Sequence, residues 1–118
     1  CAQAGILPTE VDVFEMHDSY TILSTLALES IGIAGRGQGW MNVAEGRVGS
    51  QEQIAISTFG GLKARGNPVG ATGVYQAVEA ALQLRGGAGA NQIAGAQRAM
   101  IQNMGGMAST VITHVLGV

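Results

Sequence analysis

At 118 residues, with 47% hydrophobic and 12% charged side chains, the chain has the length of one domain and too much apolar content for a disordered segment. Six basic against eight acidic side chains, with no basic run or aromatic-basic stripe, exclude an electrostatic nucleic-acid footprint. One cysteine excludes an internal disulfide and fits a reducing, cytoplasmic compartment, His17 and His114 give no metal-ligand spacing, and no apolar run reaches the roughly 18 to 20 residues that cross a bilayer.

Cys1 to Gly5 reads as the tail of a helix closed by glycine, the pattern of a piece of a longer protein. From Glu10 to Met16, Val11, Val13 and Glu15 alternate with Asp12, Phe14 and Met16, which predicts a strand. His17-Asp18-Ser19 then offers capping side chains to a helix whose apolar face carries Ile22, Leu23, Leu26 and Ala27 and which stops near Gly32. Ile33 to Gln53, with five glycines, Asn42 and several charges, predicts an extended surface loop containing Trp40 and Met41.

Ile54 to Phe59 is a short apolar run that predicts a second strand, ended by Gly60-Gly61. Beyond the glycine-rich stretch, Val74, Ala77, Val78, Ala81 and Leu82 recur at helical spacing up to Gly86-Gly87. Arg98 to Asn103 and Ser109 to Leu116 read as two strands joined by Met104 to Met107 in a hairpin. The expected fold is α/β in the order β-α-β-α-β-β, a mixed sheet with flanking helices.

Five glycines and Pro68 fall between Gly60 and Gly73, where strand gives way to helix. Glycine permits close main-chain approach, Pro68 biases Asn67 away from the helical region, and a helix beginning near Gly70 to Gly73 exposes free N–H groups. Such a segment either cradles a reacting oxygen or is a plain strand-to-helix turn. Asn67-Pro68 stands where a phosphate-binding loop needs Lys-Ser/Thr, and Gly35 to Gly39 follows a helix rather than a strand, so neither nucleotide motif applies.

Two further segments sit at strand ends, where open α/β sheets build sites. His17 is a candidate donor or base near neutral pH, Asp18 orients it or caps a helix, and Ser19 is a weak nucleophile or donor. Asn103-Met104-Gly105-Gly106 lies at the hairpin tip. Met100, Met104 and Met107 read as core or pocket fillers, and His114 as a strand histidine with a local partner.

Gly60 to Gly73 resembles, nearly residue for residue, the Gly-His-Pro loop of the thiolase superfamily, with Asn67 where that family carries its catalytic histidine. His17-Asp18-Ser19-Tyr20 is similar to the His-Asp-Cys-Phe or His-Asp-Ala-Phe loop of sterol-carrier-protein-type and archaeal-type thiolases. Gln102-Asn103-Met104-Gly105-Gly106 is similar to the last family loop, with order and spacing agreeing over essentially the whole chain.

The resemblance implies that residues 1–118 are the later part of a thiolase C-terminal half, without the first half and its nucleophilic cysteine, which Cys1 is wrongly placed to replace. It implies acyl-CoA C-acyltransferase chemistry, Claisen condensation or thiolysis, in a longer parent, with the isolated chain inactive. A degenerate subunit that binds a CoA thioester or a partner protein is the alternative, since Asn67 and Ser19 both depart from the family's titratable groups. In these terms His17, Asn67 and Ser19 take catalytic positions, and Gly66, Asn103, Gly105 and Gly106 contact substrate. The implied partners are an acyl-CoA substrate, the N-terminal thiolase half and further copies in a homo-oligomer, with coenzyme A thioester as substrate and no separate cofactor.

Overall fold

The computed structural model describes residues 2–45 and 54–118; Cys1 and the rest of the loop expected over 33–53 lie outside the described residues. A four-stranded mixed sheet is covered on both faces by helices, so the expected α/β class holds. Strands β1 (Val13–Met16), β2 (Ala55–Ile56), β3 (Arg98–Gly105) and β4 (Thr110–Gly117) lie in the order β2-β1-β3-β4. β1 pairs in parallel with both β2 and β3, and β4 closes the edge antiparallel to β3.

Helix α1 (Thr21–Ile31) follows β1 and ends at Gly32, whose left-handed φ of 89° a side chain would strain. Helix α4 (Thr72–Leu84) precedes β3 and covers the opposite face. β1 is buried along its whole length because both faces are covered. Phe14 and Met16 join Ala27, Leu28, Ile31 and Met100 in one core, while Val13 joins Ala80, Ala99 and Ile101 in the other.

Several expectations are corrected. The first strand begins at Val13, not Glu10, because Pro8–Glu10 is a turn of 3-10 helix with Glu10 accepting the Leu7 N–H. The second strand shrinks to Ala55–Ile56. The loop after α1 contains a short helix, α2 (Gly39–Ala44), nucleated by Glu29, whose carboxylate accepts the Gly37 and Gly39 N–H groups at 2.9 and 3.0 Å. Those two bonds hold the Glu29 pKa below the usual carboxylate range.

The inward faces of both main helices also differ from the apolar stripes in the sequence. On α1, Ile22 and Leu26 are exposed and Ala27, Leu28 and Ile31 face the core. On α4, Val74, Val78 and Leu82 face outward, and Thr72, Gln76, Glu79, Ala80 and Gln83 face the sheet. The buried amides are tolerated because they are bonded: Gln76 Nε2 donates to the carbonyls of Glu15 and Gln102, and Gln83 Nε2 to Thr58 Oγ1 and the Asn91 carbonyl.

The glycine-rich stretch is not one continuous loop. Gly61–Arg65 forms a helical turn, α3, whose Leu62 N–H donates to Asp18 Oδ1 at 2.9 Å. Asp18 therefore caps α3 rather than the helix that follows it, and α1 starts after Tyr20 without a side-chain cap. Gly61 is required twice over, because its φ is +63° and a Cβ there would collide with the Asp18 carboxylate. Replacing Asp18 by Ala is expected to cost about 1 kcal/mol of stability, the usual value of a cap, and Asp18→Asn far less because it keeps the accepting oxygen. Denaturant titration of the two variants checks this.

Candidate active site

The parallel register of β1 and β3 builds the site. Met16 lies opposite Gln102, so His17, just past the end of β1, sits beside Asn103 of β3. The connections from β1 and β2 run over opposite faces of the sheet, through α1 and α4, which makes this strand end the switch point where such sheets hold ligands.

His17 Nδ1 lies 2.8 Å from Asn103 Oδ1. The Met104 N–H donates to that same atom at 3.0 Å, which fixes it as the amide oxygen and therefore makes Nδ1 the protonated nitrogen. In the neutral ring, Nε2 then carries the lone pair. His17 can accept a proton or a water O–H at Nε2, and becomes a donor there only as the imidazolium.

Asn67 is oriented just as closely. Its Oδ1 accepts the Thr72 hydroxyl at 2.6 Å and the Val69 N–H at 3.3 Å. A backbone N–H can only donate, so the atom it faces is oxygen and the side-chain NH2 is turned the other way. Among the described residues no acceptor takes Nδ2. The bond to Val69 is an Asx-turn, and it holds Val69 at a φ of +51°, a strained conformation for a β-branched residue.

A cavity of about 190 Å³ is walled by His17, Ser19, Tyr20, Leu23, Asn67, Val69 and the hairpin tip from Met104 to Ala108. The four expected residues His17, Ser19, Gly105 and Gly106 thus meet Asn67 at one place. Asn103 is not part of this wall but holds His17 and lines the larger cavity beside it, and Gly66 lines neither. From the Gly60 to Gly73 stretch, only Asn67 and Val69 reach it. A second, larger and more apolar cavity of about 640 Å³ adjoins it across Val69, Met104 and Gly105, lined also by Val74, Ala77, Ile112 and His114.

Met100 is core, Met104 lines both cavities, and Met107 stands 94% exposed at the rim of the smaller one. His114 is exposed on β4 rather than locally partnered: among the described residues no hydrogen bond to its side chain is found, although its backbone lies opposite Ile101 in the ladder. Sequence reasoning missed Thr72 and the buried trio Glu15, Arg65 and Glu79 beneath the loop. For Thr72 a signal existed: an asparagine before proline opens an Asx-turn, and a hydroxyl five residues later can complete it.

Residues 1–118 match the family described as Thiolase C-terminal domain-like. The chain is 40% identical to an acetyl-CoA acetyltransferase of Methanothermobacter thermautotrophicus, over 95% of this chain and 29% of that protein. It is 38% identical to sterol carrier protein 2 of Rattus norvegicus, over 94% of this chain and 20% of that protein. Among solved structures, the Ltp2-ChsH2(DUF35) aldolase superposes with a TM-score of 0.79 at 25% identity, covering 98% of this chain and 29% of that one. The chain therefore spans less than a third of the length of these relatives.

Proposed function

The chain belongs to the thiolase C-terminal domain-like family, and on that premise we propose that it supplies the thioester-binding loops of a longer acyl-CoA C-acyltransferase. The observation that carries this reading is the common cavity shared by His17, Ser19, Asn67, Gly105 and Gly106, which come from three separate loops. Asn67 Nδ2 donates to the thioester carbonyl oxygen and stabilises charge as it develops there. His17 accepts a water O–H at Nε2, and the second O–H of that water reaches the same oxygen. The backbone at Gly105 and Gly106 lines the acyl group.

An asparagine neither takes nor gives a proton near pH 7, and a serine hydroxyl titrates too high for the acid–base step. The nucleophile and the proton transfers that Asn67 and Ser19 cannot perform therefore come from the N-terminal half of the parent, and the isolated chain is inactive. The outward apolar stripe of Val74, Val78 and Leu82 is the surface that this half covers. A homo-oligomer in a reducing compartment, using coenzyme A thioesters with no separate cofactor, completes the proposal.

Asn67 in place of histidine also favours a second reading, a degenerate subunit that binds the thioester without turning it over. Cleavage of acetoacetyl-CoA by the intact protein and by its Asn67→His variant separates the two. Activity in the parent supports the acyltransferase; silence in the parent with gain in the variant supports the degenerate subunit.

A further inference from the structure

Beneath the loop that carries Asn67 lie three charged side chains that the cavity does not use. Arg65, at the end of α3, donates from Nε to Glu79 Oε1 of α4 at 2.7 Å, and both side chains are almost wholly buried. Glu15 of β1 is fully buried against α4, where Gln76, one turn before Glu79, donates to its carbonyl, and its Oε1 accepts the Thr58 N–H at 3.3 Å. Among the described residues, Glu15 Oε2, Glu79 Oε2 and one terminal nitrogen of Arg65 have no conventional partner. Two carboxyls and one guanidinium would leave a buried net charge of −1, an arrangement that a proton between the carboxyls neutralises.

We propose that Glu15, Glu79 and Arg65 form a proton-bridged clamp that positions the Asn67 loop. The clamp ties together β1, α3 and α4, the elements that flank two of the three loops at the site, those of His17 and Asn67. Glu15 precedes His17 by two residues on β1, Arg65 precedes Asn67 by two, and Glu79 is on α4, whose first residue, Thr72, holds Asn67 Oδ1. None of the three lines the cavity. They are positioning residues, acting on the reacting atoms only through the loop.

Burial first, then the charge and hydrogen bond of Glu79, push the Glu15 pKa up to about 8, against the opposing pull of the Thr58 N–H and Arg65. Ile101, opposite Glu15 on β3, adds no charge. At neutral pH Glu15 therefore carries the proton and donates it toward Glu79. Above its pKa, two like charges share one guanidinium and the link from β1 to α4 opens.

This inference rests on the reading of Asn67 as a thioester donor, but its test needs no substrate. In the intact protein, the Asn67 side-chain amide and the Val69 N–H are followed by nitrogen-15 NMR as pH rises. The expected result is a titration with midpoint near 8 in the wild type that vanishes in Glu15→Gln, whose neutral amide mimics the protonated acid. A buried protonated-carboxyl band in the infrared spectrum is expected to disappear with the same variant. Should Glu15→Gln not fold, Glu79→Gln serves instead, and the midpoint then moves down because a like charge is gone. A wild-type loop that does not titrate, or the same titration surviving in Glu15→Gln or unmoved in Glu79→Gln, overturns the clamp. Loss of thioester binding with the titration intact would count against the Asn67 reading alone.

Discussion

Replacing Asn67 by Ala is expected to lower kcat/KM for acetoacetyl-CoA cleavage by the intact protein about 10²- to 10³-fold, the usual effect of deleting one oxyanion donor. The expectation follows from the lock on its carboxamide. With Oδ1 held by Thr72 and Val69, only Nδ2 remains for a ligand, so the side chain is a one-way donor. Because that donation strengthens as charge develops, kcat and kcat/KM should fall together. Thr72→Val, which removes the stronger of the two bonds to Oδ1 while leaving Asn67 in place, is expected to give a smaller loss of roughly tenfold, about one hydrogen bond. Steady-state kinetics of both variants check the order of effects. Equal and negligible losses would mean that Asn67 does not meet the reacting carbonyl.

The second large effect concerns stability. Arg65→Ala is expected to destabilise the fold by about 3–5 kcal/mol, because it leaves a buried Glu79 and its neighbour Glu15 without their cation. Pairing Arg65→Met with Glu79→Gln should recover much of this, since the uncompensated charge goes with the second change. Urea denaturation of the single and double variants gives the comparison.

The same cluster sets a pH dependence of definite sign. Glu15 has a folded pKa of about 8 against 4.5 for the free side chain, so between those values the folded state holds a proton that the unfolded state has released. Its contribution to stability is complete below about 4.5, falls by at most about 1.4 kcal/mol per pH unit above that, and is gone once pH passes 8. Glu15→Gln should flatten that slope. A wild-type protein whose thermal midpoint does not decline from pH 5 to 8 relative to this variant would show that Glu15 is not held protonated.

The sheet was legible because β1 and the β3–β4 hairpin are runs rich in apolar and β-branched residues, and the α/β class with the chain order of its elements followed. The inward faces were not. On α4 the apolar stripe of Val74, Val78 and Leu82 is the stronger periodic signal, yet Gln76 and Gln83 are drawn inward by carbonyls that need donors. Periodicity records which residues are apolar, not which surface they cover, and here the apolar stripe lies outward. Helices α2 and α3 depend on single carboxylates outside themselves, Glu29 in the preceding helix and Asp18 in a loop far back in the chain, and helical periodicity does not encode such contacts.

At the site, the three loops were recognisable by their residues, and the structure brings His17, Ser19, Asn67, Gly105 and Gly106 to one cavity. What the sequence left open was orientation. The tautomer of His17 depends on Asn103, and the direction of the Asn67 amide depends on Thr72, both of them hydrogen bonds formed only on folding. The proposed clamp below the loop was invisible for the same reason, since Glu15 and Glu79 read as ordinary strand and helix carboxylates until folding buries both.

The most direct measurement is a crystal structure of the intact protein with an acyl-CoA bound. The account predicts the thioester oxygen within about 2.7–3.2 Å of Asn67 Nδ2, with a water bridging it to His17 Nε2. A thioester seated with its carbonyl turned away from Asn67, or an Asn67 side chain whose Oδ1 has left Thr72 to face the ligand, would contradict it.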